Sequence, residues 1–217
     1  MSAAGPPQGA RPPGGAARSA VRGERTSAAG PPQGARPPGG AARSAVRGEH
    51  QSIAYLGLGS NLAHPRRQLA RAVRALARVP GLTVVAVSPN YASAAVGTLL
   101  PQPDYVNAVV AVRTRLPARA LLGAMHRIER RQHRRRENEP HRNAPRTLDI
   151  DLLLYGRRRM HAHGLAIPHP RMHERAFVLR PLADVAAAAT IPGRGLAQRF
   201  LRRVRDQRVE RTRRHRI

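Results

Sequence analysis

From about Gln51 the chain passes from a stretch without apolar periodicity into alternating strand-like and helix-like patterns. Ile53 to Leu58 is a short apolar run ending in Gly59-Ser60-Asn61, which predicts a strand feeding a turn. Pro65 stands where a first helical residue is favoured, Leu69, Val73 and Leu76 recur at helical spacing, and Pro80-Gly81 closes the helix. Leu82 to Ser88 and Tyr105 to Thr114 are apolar, β-branched runs that flank a loop rich in Ala, Pro and Gly. Pro117 opens a second helix with Leu121, Met125 and Ile128 on one stripe, and Thr147 to Tyr155 predicts a fourth strand. The order β-α-β-β-α-β predicts an α+β fold, an α/β sandwich of the ferredoxin-like split βαβ type, with helices on one side of an antiparallel sheet. Beyond Pro192, Leu196, Phe200, Leu201 and Val204 predict a short amphipathic helix, and the Arg-rich last dozen residues read as solvated. The expected organisation is a tail over 1–50, a domain over 51–193 and a basic helix or tail over 194–217.

The first fifty residues hold an internal repeat: Ser2 to Glu24 recurs letter for letter from Ser27 to Glu49. A stacking repeat must carry an apolar face, and each copy offers only Val21 or Val46, so the repeat reads as a flexible tail rather than a solenoid. The 39 basic residues against 12 acidic ones are all Arg, for a formal charge of +27. That field attracts triphosphates, nucleic acids and anionic lipids alike, so it narrows the partner only to an anion. The absence of Cys excludes disulfides, thiolate metal sites and thiol nucleophiles. No apolar run approaches the roughly 18 residues of a membrane span, and the expected location is the cytoplasm.

The sharpest chemical signal is Arg146-Thr-Leu-Asp149-Ile-Asp151-Leu-Leu-Leu-Tyr155. In a strand, Asp149 and Asp151 share a face while Leu148, Ile150 and Leu152 turn to the core. Two adjacent carboxylates without soft ligands nearby suit Mg²⁺ shared with substrate phosphates. The bland alternative pairs one Asp with Arg146 and leaves the other exposed. Upstream, five arginines lie between residues 134 and 146, a set that fits phosphate oxygens or a solvated charge run. Downstream, Pro168 and Pro170 flank His169 and hold it on a rigid turn ahead of Arg175 and Phe177.

Four runs in this order, Gly57-Leu-Gly-Ser-Asn-Leu62, Gln102-Pro-Asp-Tyr-Val-Asn107, Pro145-Arg-Thr-Leu-Asp-Ile-Asp151 and Pro168-His-Pro-Arg-Met-His-Glu-Arg-Ala-Phe-Val-Leu179, resemble the hydroxymethyldihydropterin pyrophosphokinase family. The resemblance covers about Ile53 to Pro192. It implies transfer of pyrophosphate from ATP, as co-substrate, to the hydroxymethyl group of a reduced pterin in folate biosynthesis, with AMP released. It further implies that Asp149 and Asp151 hold two Mg²⁺ ions and that Arg136 and Arg146 join them in catalysis. By the same resemblance ATP meets Leu122, His126, Glu129, Arg134, Arg136, Arg142, Asn143, Arg146, Leu152, His169 and Arg175. The pterin meets Ser93, Ala94, Ala95, Val96, Gly97, Tyr105, Asn107, Asp149 and Phe177. No general base stands out, and a monomer without membrane or specific nucleic-acid partner is expected. Ser93-Ala94-Ala95 departs from the family's usual Thr-Pro-Pro, His133 from a Gly and His126 from a Gln. The rival readings are an RNA-binding module, which would need aromatics such as Tyr55 and Tyr105 on its sheet, and an inactive homologue.

Overall fold

The computed structural model describes residues 51–95, 97, 101–134 and 144–212. The repeat, Val96, Arg136, Arg142 and Asn143 lie outside the described residues. The elements expected from periodicity are strand β1 (Ser52–Ser60), helix α1 (Pro65–Ala77), strand β2 (Leu82–Val87), strand β4 (Tyr105–Thr114), helix α2 (Ala118–Arg131) and strand β5 (Asp149–Tyr155). A short strand β3 (Tyr91–Ser93) precedes β4. Helix α1 begins at Pro65, whose fixed φ suits a first turn, and the chain leaves it through Gly81 at φ +77°, a left-handed turn that other residues resist.

β1 is the central strand, antiparallel to β4 on one side and to β5 on the other. β2 and β3 pair with successive lengths of β4, and β5-β1-β4-β2 is the strand order of the split βαβ fold. Alternation along β1 sends Ala54, Leu56 and Leu58 into a core shared with Leu69, Leu76, Leu121, Met125 and Ile128 of α1 and α2.

The opposite face is covered too, which corrects the expectation of helices on one side only. Helix α3 (Ala176–Val185) and a 3-10 stretch (Ala197–Val204) bury Val109, Leu153, Leu179, Leu182 and Phe200 there. Pro181 inside α3 hides a helix that spans only ten residues. A hairpin of β6 (Met160–Ala162) and β7 (Leu165–Ile167) follows β5, and β8 (Thr190–Ile191) pairs with β9 (Gly195–Leu196). The expected amphipathic helix after Pro192 is a 3-10 stretch. Part of the dozen residues read as solvated is strand β10 (Val209–Arg211), which adds to the sheet edge at β3 and buries Val209.

Candidate active site

The register of the sheet builds the site from three strands. Gly59 of β1 lies between Asn107 of β4 and Asp149 of β5, and Gly57 lies beside Asp151. These side chains stand on the α3 face, and the glycines leave the floor between them bare. A Cβ on Gly59 would come 3.3 Å from Asn107 Oδ1 and 4.0 Å from Asp149 Cβ.

Asp149 is held by two guanidinium groups. Arg146 Nη1 donates to Oδ2 at 2.9 Å, and Arg134 Nη1 donates to Oδ1. Arg134 is itself buried and also donates to Glu129 Oε1 at 2.5 Å, while that oxygen accepts the Ile150 N–H at 2.9 Å. Glu129 thus braces β5 from beneath, and it lines neither cleft described below.

Asp151 differs. It is half-buried, and among the described residues no donor lies within hydrogen-bonding distance of its carboxylate. Burial first, then the neighbouring Asp149 charge, pushes its pKa up to about 7 against the pull of Arg175 and Arg134. The bland reading of the pair is half met: Asp149 is paired with Arg146, but Asp151 is not exposed.

Asn61, just past β1, fixes Arg146 from the other side. Its N–H donates to the Arg146 carbonyl at 3.1 Å, and its Oδ1 accepts the Arg146 N–H at 2.8 Å. Its Nδ2 donates to Gln102 Oε1 at 2.9 Å and to the Pro103 carbonyl at 3.2 Å. Tyr105 Oη donates to Gln102 Oε1 and to the Ala144 carbonyl, both at 3.3 Å. Burial pushes the Tyr105 phenol up. Asn107 Nδ2 donates to Ser93 Oγ at 3.0 Å, which aims Oδ1 at the space above Gly59.

On the far wall, His169 Nδ1 accepts the Arg171 N–H at 3.3 Å, so the neutral ring carries its proton on Nε2. Burial, followed by the charges of Arg175 and Arg171, lowers its pKa to about 4. Arg175 is held below its ordinary value chiefly by burial, and its guanidinium lies 5.4 Å from the Phe177 ring centroid.

Two clefts meet here. One, of about 550 Å³, is lined by Ser93, Ala94, Gly97, Tyr105, Asn107, Arg134, Arg146, Asp149, Arg175 and Phe177. The other, of about 670 Å³, is lined by Leu122, His126, Leu152 and the β6–β7 hairpin. Asp151 and His169 line both. Ala95, half-buried, lines neither cleft.

The donor set suits a hard cation. Two carboxylates share one strand face, one of them lacks a hydrogen-bond donor, and no group of three His, Asp or Glu closes a metal cage among the described residues. Mg²⁺ bound at such a pair takes its remaining oxygens from phosphate and water.

The profile described as 7,8-dihydro-6-hydroxymethylpterin-pyrophosphokinase matches residues 55–187, more than half the chain, including all of β4 and β5 and most of β1. The chain belongs to this pyrophosphokinase family. It is 46% identical over 145 residues to the 2-amino-4-hydroxy-6-hydroxymethyldihydropteridine pyrophosphokinase of Pseudomonas aeruginosa, covering 66% of this chain and 87% of that protein. It is 38% identical over 156 residues to the enzyme of the same name from Haemophilus influenzae, covering 72% and 95%. Among solved structures it resembles the Plasmodium falciparum HPPK-DHPS A437G protein with a TM-score of 0.55 at 11% identity, a likeness of fold. That match covers 73% of this chain and 46% of the Plasmodium chain, so this chain spans less than half of it.

Around the two clefts, sequence reasoning missed the Asn61 clamp, the Gln102 link, Arg171 and Glu174, and the hairpin that brings His161 and His163 to the second cleft. Asn61 and Gln102 stood inside recognised runs. The signal for their role lay in contacts between segments 41 and 85 residues apart, which spacing along the chain does not display.

Proposed function

We propose that the chain catalyses pyrophosphoryl transfer from Mg-ATP to the hydroxymethyl group of 6-hydroxymethyl-7,8-dihydropterin, a step of folate biosynthesis, and releases AMP. The observation that carries this reading is the position of Asp151, with Asp149 beside it, where the two clefts meet. In this reading the nucleotide occupies the cleft of Leu122, His126, Leu152 and His169. The pterin lies over Gly59 between Tyr105 and Phe177, with the Asn107 amide at its edge and the segment 93–97 beside it.

The substrate hydroxyl oxygen attacks the β-phosphorus and gives its proton to solvent, the bond from that phosphorus to the bridging oxygen of AMP breaks, and AMP departs with that electron pair. Asp149 and Asp151 would hold Mg²⁺, two ions in this reading, whose charge offsets that of the triphosphate. Arg146 and Arg175 present guanidinium groups to phosphate oxygens, joined by Arg134 if it releases Asp149 to the metal. By family resemblance Arg136, Arg142 and Asn143 complete the phosphate site. Glu129 acts from below by fixing Arg134 and β5. His169, neutral near pH 7, offers an Nε2–H to the nucleotide without adding charge. Positioning and electrostatics supply the rate, and no general base is required.

In this reading the enzyme acts as a monomer. Both substrates are small molecules, and the reading places the enzyme in the cytoplasm without a nucleic-acid partner. Among the described residues no helix is long and apolar enough to cross a membrane. A coupled AMP assay tests the proposal: the wild type forms AMP, and Asp149→Ala and Asp151→Ala each lower the rate by at least ~100-fold. Formation of ADP in place of AMP would refute transfer from the β position.

A further inference from the structure

Two residues of the far wall, Arg175 and Phe177, stand at the start of α3. That helix starts without a capping side chain of its own: Arg175 is extended at φ −124° and ψ 110°, and its side chain makes no cap hydrogen bond. The first turn of a helix leaves several N–H groups without intrahelical partners, and Ala176, the first helical residue, is fully buried. Its N–H must find an acceptor. Gln207 supplies it, with Oε1 accepting from Ala176 N at 2.8 Å. The same amide turns its Nε2 to the Glu174 carbonyl at 2.7 Å. One side chain therefore ties both ends of Arg175's own backbone segment.

Gln207 is fixed in turn. Its N–H donates to the Val204 carbonyl at 3.1 Å, ending the 3-10 stretch. Two residues later β10 begins and pairs with β3, where Val209 lies opposite Ser93, the partner of Asn107. Thr212 closes the strand with its N–H on the Asn90 carbonyl at 2.9 Å. The segment 204–212 thus spans from the Arg175–Phe177 wall to the Ser93–Asn107 wall, and all of it lies beyond the family match at 55–187.

We propose that Gln207 is a positioning residue for both substrates: its amide sets the backbone from Glu174 to Ala176, and through it the guanidinium of Arg175 and the ring of Phe177. This rests on the pyrophosphokinase reading of the site. Gln207→Leu removes both hydrogen bonds at similar volume. Gln207→Glu keeps the acceptor for Ala176 N–H, favourable at a helix start, and loses the donor to Glu174. Arg205→Ala, an exposed neighbour, is the control.

Three quantities decide it in the full chain: kcat, KM for each substrate, and amide hydrogen exchange at Ala176, all measured well below each variant's Tm. Gln207→Leu is expected to raise both KM values about tenfold with kcat within about twofold, because a misplaced wall weakens binding of ground and transition states alike. Its Ala176 amide exchanges at least ~10-fold faster. Gln207→Glu falls between Leu and wild type in KM and keeps Ala176 protected, and Arg205→Ala matches wild type. A Gln207→Leu protein that loses Tm but keeps both KM values has lost only a structural tie, and the proposal is overturned. A wild type that forms no AMP refutes the functional reading instead, and the exchange rate at Ala176 then decides whether Gln207 holds this backbone.

Discussion

Asp151 sits where burial and a like charge both oppose its ionised form, and nothing among the described residues donates to its carboxylate. A group kept at such a cost marks a site selected for binding rather than for stability. Asp151→Asn is therefore expected to abolish AMP formation and, without magnesium at pH 8, to stabilise the fold by about 1–2 kcal/mol. Denaturant unfolding checks this, and a less stable variant would contradict the account. His169 gives the pH dependence. Its folded pKa, lowered to about 4, lies below the ordinary value of 6.5, so the unfolded chain takes up a proton that the fold refuses. The stabilisation is complete above pH 6.5 and is lost as pH falls towards 4. His169→Asn, which can still accept the Arg171 N–H, is expected to show a shallower fall of Tm across that window.

At the scale of elements, the bare stretch of β1 does as much as the charged residues of β5. Gly59→Ala would push a methyl group to 3.3 Å from Asn107 Oδ1 in a buried pair that cannot easily yield. The expected result is a pterin KM raised about tenfold with the ATP KM within about twofold, since only the first cleft is filled. Steady-state kinetics with each substrate varied in turn would show it. Legibility in the sequence follows the same division. β1, β2, β4, β5, α1 and α2 each run far enough for period and breakers to declare them, and the Asp149–Asp151 pair needs only its own strand's alternation. β3, β6, β7 and β10 have three residues each, too few for a period. β10 reads Val-Glu-Arg among arginines, so its one buried side chain, Val209, leaves no apolar pattern. α3 was masked by Pro181, although its first residues carried the family's signature.

For the whole molecule, the +27 charge was a poor guide to function. α1 and α2 together carry eight arginines, and their single acid, Glu129, is buried, yet the sheet does not favour the nucleic-acid reading. Tyr55 packs against the α3-side core, which leaves Tyr105, in the first cleft, as the one of the two open to a ring, fewer than the two or three stacking aromatics of a single-stranded RNA platform. The Asn61 clamp has a consequence for folding order. It joins segments 41 and 85 positions distant, so it is expected to form after β4 and β5 have paired with β1 and brought those segments together. Contacts completed last, at the sheet's rim, open first. In a urea titration catalysis should therefore fail at a lower midpoint than the circular dichroism of the helices, and coincident midpoints would show the rim and the core to melt as one unit.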